Sequence, residues 1–220
     1  MYERTWKTNL FIVLMLLPAL LLSLGIVVYP IINTVILSFQ AGDGSGFTLE
    51  HYKYLFTNKI AINSIIFTFW VTVATVFLAI VISYLVALYL RFSDSKASKF
   101  IATVYLLPRF VPNLVAIYAI MAVVRDTGLF NRISVLFGAD FKPGLLYNAK
   151  GIIIMNLWFN IAFATMIIVA ALTNIPNSII ESSRDIGMGK IYTFFKMIFP
   201  LSYKDVLIAM TFIFMSNISS

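Results

Sequence analysis

Of 220 residues, 61% are hydrophobic and only 11% are charged, and the mean hydropathy is +0.95; an ordinary soluble domain has about 25% charged residues. A chain of this size cannot hide so much apolar surface in one core, which excludes a soluble enzyme and points to lipid as the solvent for the excess. The net charge of +7 does not signal nucleic acid, because the basic residues fall in small groups between apolar runs: Arg4 and Lys7, then Arg91, Lys96 and Lys99, then Arg184, Lys190, Lys196 and Lys204.

Loops facing anionic headgroups have that spacing. With no cysteine in the chain, disulfide, iron–sulfur and thiolate–zinc sites are excluded. His51, beside Glu50 in a polar stretch, reads as a solvated surface residue. No metal and no cofactor is expected.

In chain order, the first predicted span has its apolar heart from Leu10 to Phe39, with no charged side chain between Thr8 and Gly42. About 20 apolar residues cross a bilayer, and a signal-peptide core of roughly 7–15 residues is much shorter, so an uncleaved helix is expected. Residues 40–59 turn polar. Gly42, Gly44 and Gly46 suggest an unstructured entry, followed by an amphipathic interfacial helix from Phe47 to Phe56 with Thr48 as its cap. A second span runs from Ile60 to Leu90, then a short basic loop at 91–99. The third span, Ile101 to Val124, contains Pro108, Arg109 and Pro112 and is expected to kink. Polar residues fill 125–150. The fourth span is Gly151 to Leu172, and after a mixed loop at 173–204 a fifth begins at Val206. Ser220 cuts that span short, so the chain reads as incomplete there, with a sixth span expected in the full protein. The reading is therefore an all-α, polytopic transmembrane bundle forming a single domain over 1–220. Somewhat more basic residues fall on the inner side when the N-terminus is placed in the cytoplasm.

Arg109 has two readings. An ionisable residue within a span is costly and marks a functional path. Alternatively it snorkels to the cytoplasmic interface, or starts a broken helix between the two prolines.

The loop from Asn174 to Pro200 is the most specific segment. Pro176 suits a first helical turn, and Ser178 with Glu181 has the spacing of a capping box. Glu181 and Asp185 are one turn apart, with Arg184 in reach of Glu181. Gly187 permits a turn that side chains resist. Ile191, Phe194, Phe195 and Ile198 then recur at helical spacing. Two short helices joined at a glycine, lying on the inner membrane face, are expected.

This spacing resembles the EAA loop of permease subunits in binding-protein-dependent ABC importers. The resemblance rests on Glu181, Ser182, Ser183, Gly187 and the sequence Met197-Ile198-Phe199-Pro200, with serines for the usual alanines and Met197 and Phe199 for the usual Ile and Leu. Outside the loop, Phe47 to Tyr52, Asn63–Ser64, Leu106 to Pro108 and Gly128 to Asn131 sit where such permeases have similar residues. The resemblance implies a type I importer permease in a bacterial inner membrane, with the first short helix docking on a cytoplasmic ATPase. It implies Glu181, Ser182, Ser183, Asp185, Gly187 and Pro200 as the coupling-loop residues. It also implies an ATPase dimer, a second permease subunit, homologous or identical, and an extracytoplasmic substrate-binding protein as partners. The chain itself is not expected to be an enzyme: Gly187-Met-Gly-Lys190 is followed by Ile191 and lacks the earlier glycine of a P-loop.

Asp185-Ile-Gly187 places the acid two before the glycine, which resembles spermidine/putrescine-type permeases; sugar permeases more often have Asp directly before Gly. A polyamine-type solute is the favoured expectation and a sugar or other small solute the alternative. No acidic residue falls inside a predicted span to meet a polycation. A structural or signalling membrane protein without cargo is the alternative of another class.

Overall fold

The computed structural model describes residues 6–42, 44 and 46–219. Arg4, part of the argument for an inner N-terminus, lies outside them. The chain packs as two units, Met1–Ile65 and Ile66–Ser220.

In the first unit, α1 (Trp6–Ser23), a π-helical turn (Leu24–Val28) and α2 (Tyr29–Ser38) form one apolar stretch. Asn9–Ser38 is long and apolar enough to cross a membrane. The π turn has a local cause. Pro30 has no amide, and its ring crowds the carbonyl one turn back. The helix widens there, so that the Tyr29 N–H bonds the Leu24 carbonyl.

Of the glycine-rich stretch that follows, Gly42, Gly44 and Gly46 are described, in a turn and bends. A bridge between Gln40 and Phe47 closes it, and Phe39 stacks on Phe47 with ring centroids 5.3 Å apart. His51 is exposed and shares a hydrogen bond with the Gln40 carbonyl. The helix α3 (Glu50–Thr57) starts later than Phe47. Thr48 accepts from the Glu50 N–H, while Leu49 occupies the cap position. Asn58 then caps α4, accepting from Ile60 and Ala61.

The helix α4 (Lys59–Phe92) continues into the second unit, followed by α5 (Lys96–Val104), a 3₁₀ turn (Leu107–Arg109), α6 (Asn113–Val124), α7 (Leu129–Leu136) and α8 (Ala149–Thr173). Next come α9 (Asn177–Asp185), α10 (Lys190–Thr193), a second π turn (Phe194–Ile198) and α11 (Phe199–Ile218). Among the described residues five stretches are long and apolar enough to span, as expected for the all-helical fold.

Two boundaries differ from the sequence reading. The third span is broken outright rather than kinked, because Pro108 and Pro112 each remove an amide within one turn. The candidate span after the break, Asn113–Leu136, comprises α6 and α7 on either side of a turn that carries Arg125 and Asp126. The fifth stretch is Lys190–Ile218, so the second amphipathic segment of the loop is not a separate surface helix. It is the start of the last span. Pro200 repeats the arrangement at Pro30: the Phe199 N–H reaches back to the Phe194 carbonyl across a π turn.

The second unit is held by small residues. Thr72, Thr75, Ala79, Ser83 and Ala87 are all buried on one face of α4. Their size lets backbones approach, the usual basis of helix packing in lipid. Ser83 accordingly donates across 3.0 Å to the Ile161 carbonyl of α8. Between α8 and α11, Asn160 donates to Asn217 at 3.3 Å, a buried polar pair.

On α7, Asn131 is buried and donates to Asp140 at 2.7 Å and to the Phe141 carbonyl, both in the loop that follows the helix. Hydrogen bonds from Lys142 and Asn131 hold the Asp140 carboxyl below its ordinary range. A Cβ on Gly128 would meet the carbonyl oxygens of Ala122, Val123 and Arg125 at 2.7–2.8 Å, which explains a glycine there.

Candidate coupling site

The α8 helix ends at Thr173, and Pro176 occupies the cap position of α9 with no side-chain capping bond. The expected capping box is therefore absent. Ser178 lies inside the first turn, two positions past the cap, so Glu181 is not at the third helical position that a box requires. The amphipathic pattern of α9 is nevertheless strong. Ile180 and Ser183 are buried, whereas Ser178, Glu181, Ser182 and Asp185 are exposed at helical spacing on one outer face. Among the described residues the ion pair found is Lys142–Asp140. Glu181 thus makes none with Arg184, and both acids of α9 point outward without a counter-charge.

Ser183 turns inward. Its hydroxyl donates to the Ile180 carbonyl at 2.7 Å and shares a 3.3 Å contact with Thr193 of α10. A small residue is needed at 183 because the two arms of the loop touch there. Ser182 stays on the surface, beside a recess of about 360 Å³ that Ser178, Ile179, Ile186 and Met197 also line.

Gly187 has φ +78° and no atom within 4 Å of a built Cβ. Its N–H bonds the Arg184 carbonyl at 2.8 Å, and the Met188 N–H bonds the Ser183 carbonyl at 2.9 Å. These two bonds form a Schellman motif. The glycine is there for its backbone angle alone, and that angle aims the chain from α9 into α10.

Arg91, at the end of α4, is the residue that the sequence reading missed. It was taken as a basic loop residue facing headgroups. Instead its Nε donates to the Leu172 carbonyl at 3.1 Å and one Nη to the Ile175 carbonyl at 3.2 Å. The same nitrogen reaches the Asn177 side chain. One guanidinium thereby bonds a last-turn carbonyl of α8 and the carbonyl of Ile175 in the linker, and fixes the start of α9. Only its place at the end of a span hinted at this; its partners lie more than 80 positions away in the chain.

Beneath the loop, Tyr84, Ala87, Ile168, Leu172, Ile175, Ile198 and Val206 form one buried apolar cluster. Tyr84 shares a 2.6 Å hydrogen bond with Ser202, just past Pro200. The loop is thus seated on α4, α8 and α11 together. Arg109, by contrast, is not near it: its guanidinium lies over the Phe163 ring, 5.1 Å from the centroid.

Residues 79–220, more than half of the chain, match the sequence model of the binding-protein-dependent transport system inner membrane component family. The chain belongs to this family. As a multi-span inner membrane component of a binding-protein-dependent transport system it is not itself an enzyme, and a structural or signalling protein without cargo is set aside.

Among the relatives of this inner membrane component is the sn-glycerol-3-phosphate transport system permease protein UgpA of Shigella dysenteriae serotype 1 (strain Sd197). It is 28% identical over 204 residues, covering 86% of this chain and 66% of that protein. The spermidine/putrescine transport system permease protein PotB of Haemophilus influenzae is 24% identical over 190 residues, covering 82% and 65%. The chain thus spans less than two thirds of these relatives' length. A solved bacterial alginate ABC transporter, in complex with alginate pentasaccharide-bound periplasmic protein, has the same fold. Its TM-score is 0.80 at 20% identity, covering 96% of this chain and 74% of that one. The polyamine expectation is not favoured by these likenesses; the alternative of a sugar or other small solute is better supported.

Proposed function

We propose that this chain lines half of the translocation path of an ABC importer and takes its power stroke through α9. In this reading a second permease subunit completes the path, and an extracytoplasmic binding protein delivers the solute. Two ATPase subunits drive it from the cytoplasm. The observation that carries the proposal is the outward acidic face of α9, Glu181 and Asp185, on a helix clamped by Arg91 to the ends of α4 and α8. A helix so attached passes displacement to the bundle, while its unpaired carboxylates suit basic groups on a partner. Ser182 and the recess beside it leave room for a partner side chain to enter. Pro200 and its π turn stand where the loop becomes the fifth span, a place for bending.

The test is charge reversal. With all partners co-expressed, Glu181→Lys together with Asp185→Lys should lower ATPase co-purification and transport at least tenfold, at unchanged membrane levels. Normal transport by that variant would sink the coupling role.

We further place the N-terminus, 91–99 and 173–189 in the cytoplasm. In this cysteine-free chain, Thr57→Cys should react with an impermeant maleimide in intact cells and Asp94→Cys should not; the reverse pattern would invert the assignment. Asp94 is a better probe than Ser95, whose hydroxyl caps α5 by accepting from the Ser98 N–H.

For the solute, a sugar or small phosphorylated compound is favoured over a polyamine. The UgpA likeness and the absence of acidic residues from α4 and α8 support this. ATP hydrolysis by the reconstituted complex with its binding protein should respond to sn-glycerol-3-phosphate or a sugar rather than to spermidine. Stimulation by spermidine alone would restore the polyamine reading.

A further inference from the structure

With α8 taken as one full crossing of a bilayer, two helix lengths give the depth of Arg109. Its ring partner Phe163 is separated by about 15 Å of helix from Thr173 and about 21 Å from Ala149, at 1.5 Å per residue. The 12-residue α6 begins just after the broken segment and adds about 18 Å between Asn113 and the outer loop. In a hydrocarbon core about 30 Å thick, both place the guanidinium near the midplane.

An exposed guanidinium at that depth needs water or a counter-charge. Among the described residues no carboxylate is placed there: α4 and α8 contain none, Asp126 lies beyond α6, and Asp205 is about 10 Å of helix from Phe212. The backbone around Arg109 is also irregular, a 3₁₀ turn between two prolines. Non-helical backbone at membrane depth is tolerated where protein buries it or where it lines a water-filled cavity. Arg109 and nearby Asn113 are both exposed and polar, which selects the cavity. Phe163 in turn packs edge-on against Phe212 of α11, 5.9 Å between centroids, so the α8 ring under the cation touches the helix that continues the coupling loop.

We propose that Arg109 contacts the solute in the translocation path, and that its guanidinium meets a carboxylate or phosphate on that solute at the midplane. This rests on the importer reading and narrows it to an anionic cargo.

The test uses charged thiol reagents and needs no knowledge of the solute. The assembled complex in proteoliposomes carries Asn113→Cys, the only cysteine of this chain. It is treated with anionic 2-sulfonatoethyl methanethiosulfonate or cationic 2-trimethylammonioethyl methanethiosulfonate. Both should react, the anion faster. Adding Arg109→Gln should lower the anion-to-cation rate ratio roughly tenfold, whereas Arg109→Lys should retain it. No reaction with either reagent, while Thr57→Cys reacts normally, would show that the segment faces lipid or protein and overturn the proposal. A ratio unchanged by Arg109→Gln would mean that a partner's carboxylate already neutralises Arg109, and would overturn it equally. Co-purification of the ATPase is scored on the same preparations, so failure of the importer reading registers separately from failure at Arg109.

Discussion

Gly187→Val should leave the protein in the membrane at normal levels and reduce transport by at least tenfold. The cost arises in the backbone, because φ is +78° with open space around the site. Left-handed geometry costs a residue with a Cβ about 1–2 kcal/mol, and branching at Cβ adds to it. The chain can escape the strain only by giving up the Gly187–Arg184 and Met188–Ser183 bonds, which would unwind the end of α9 and change how it meets α10. The graded series identifies the cause: Gly187→Asn should be nearly silent, since asparagine tolerates this region, with alanine intermediate and valine worst. Transport, ATPase co-purification and membrane abundance measured across the series would check it. If valine behaved like asparagine, the turn would not matter for coupling.

Arg91→Ala should be comparably severe, although Arg91 lies outside the loop. Removing the guanidinium uncovers the Leu172 and Ile175 carbonyls and releases Asn177. Hydrogen bonds to a charged group contribute about 1.5–3 kcal/mol each, towards the lower end here because Arg91 is partly exposed. The loss concentrates at one joint, so faster amide exchange is expected across 174–186 while α4 and the core of α8 stay protected. Arg91→Lys should restore little, because an ammonium lacks the planar fork that serves several acceptors at once. Full transport by the lysine variant, or exchange unchanged in α9, would contradict the clamp.

Glu181, Asp185 and Gly187 were legible because their signals are local: an acid repeated one turn on, and a glycine after a helical run. The number and type of the spans were legible for a similar reason, since roughly 20 apolar residues in a row have few alternatives to crossing lipid. The capping box was misread because Ser–x–x–Glu spacing does not show which residue begins the helix; Pro176, with its fixed φ, took the cap position. The break at Pro108–Pro112 was half legible, as prolines announce lost hydrogen bonds but not whether neighbouring helices restore them.

Local pattern therefore determined an all-helical membrane protein of several spans, with two acids one turn apart in the loop before the last of them. Tertiary structure alone decided that Ser183 faces inward onto Thr193, that Arg91 ties α4 to α8 and α9, and that Arg109 rests on Phe163. Each of these is a contact between residues distant in the chain or facing across a fold in it. Hydrophobic periodicity records which side of a helix avoids water, not which helix it meets, and in a bilayer even that signal weakens, because lipid and protein interior are equally apolar.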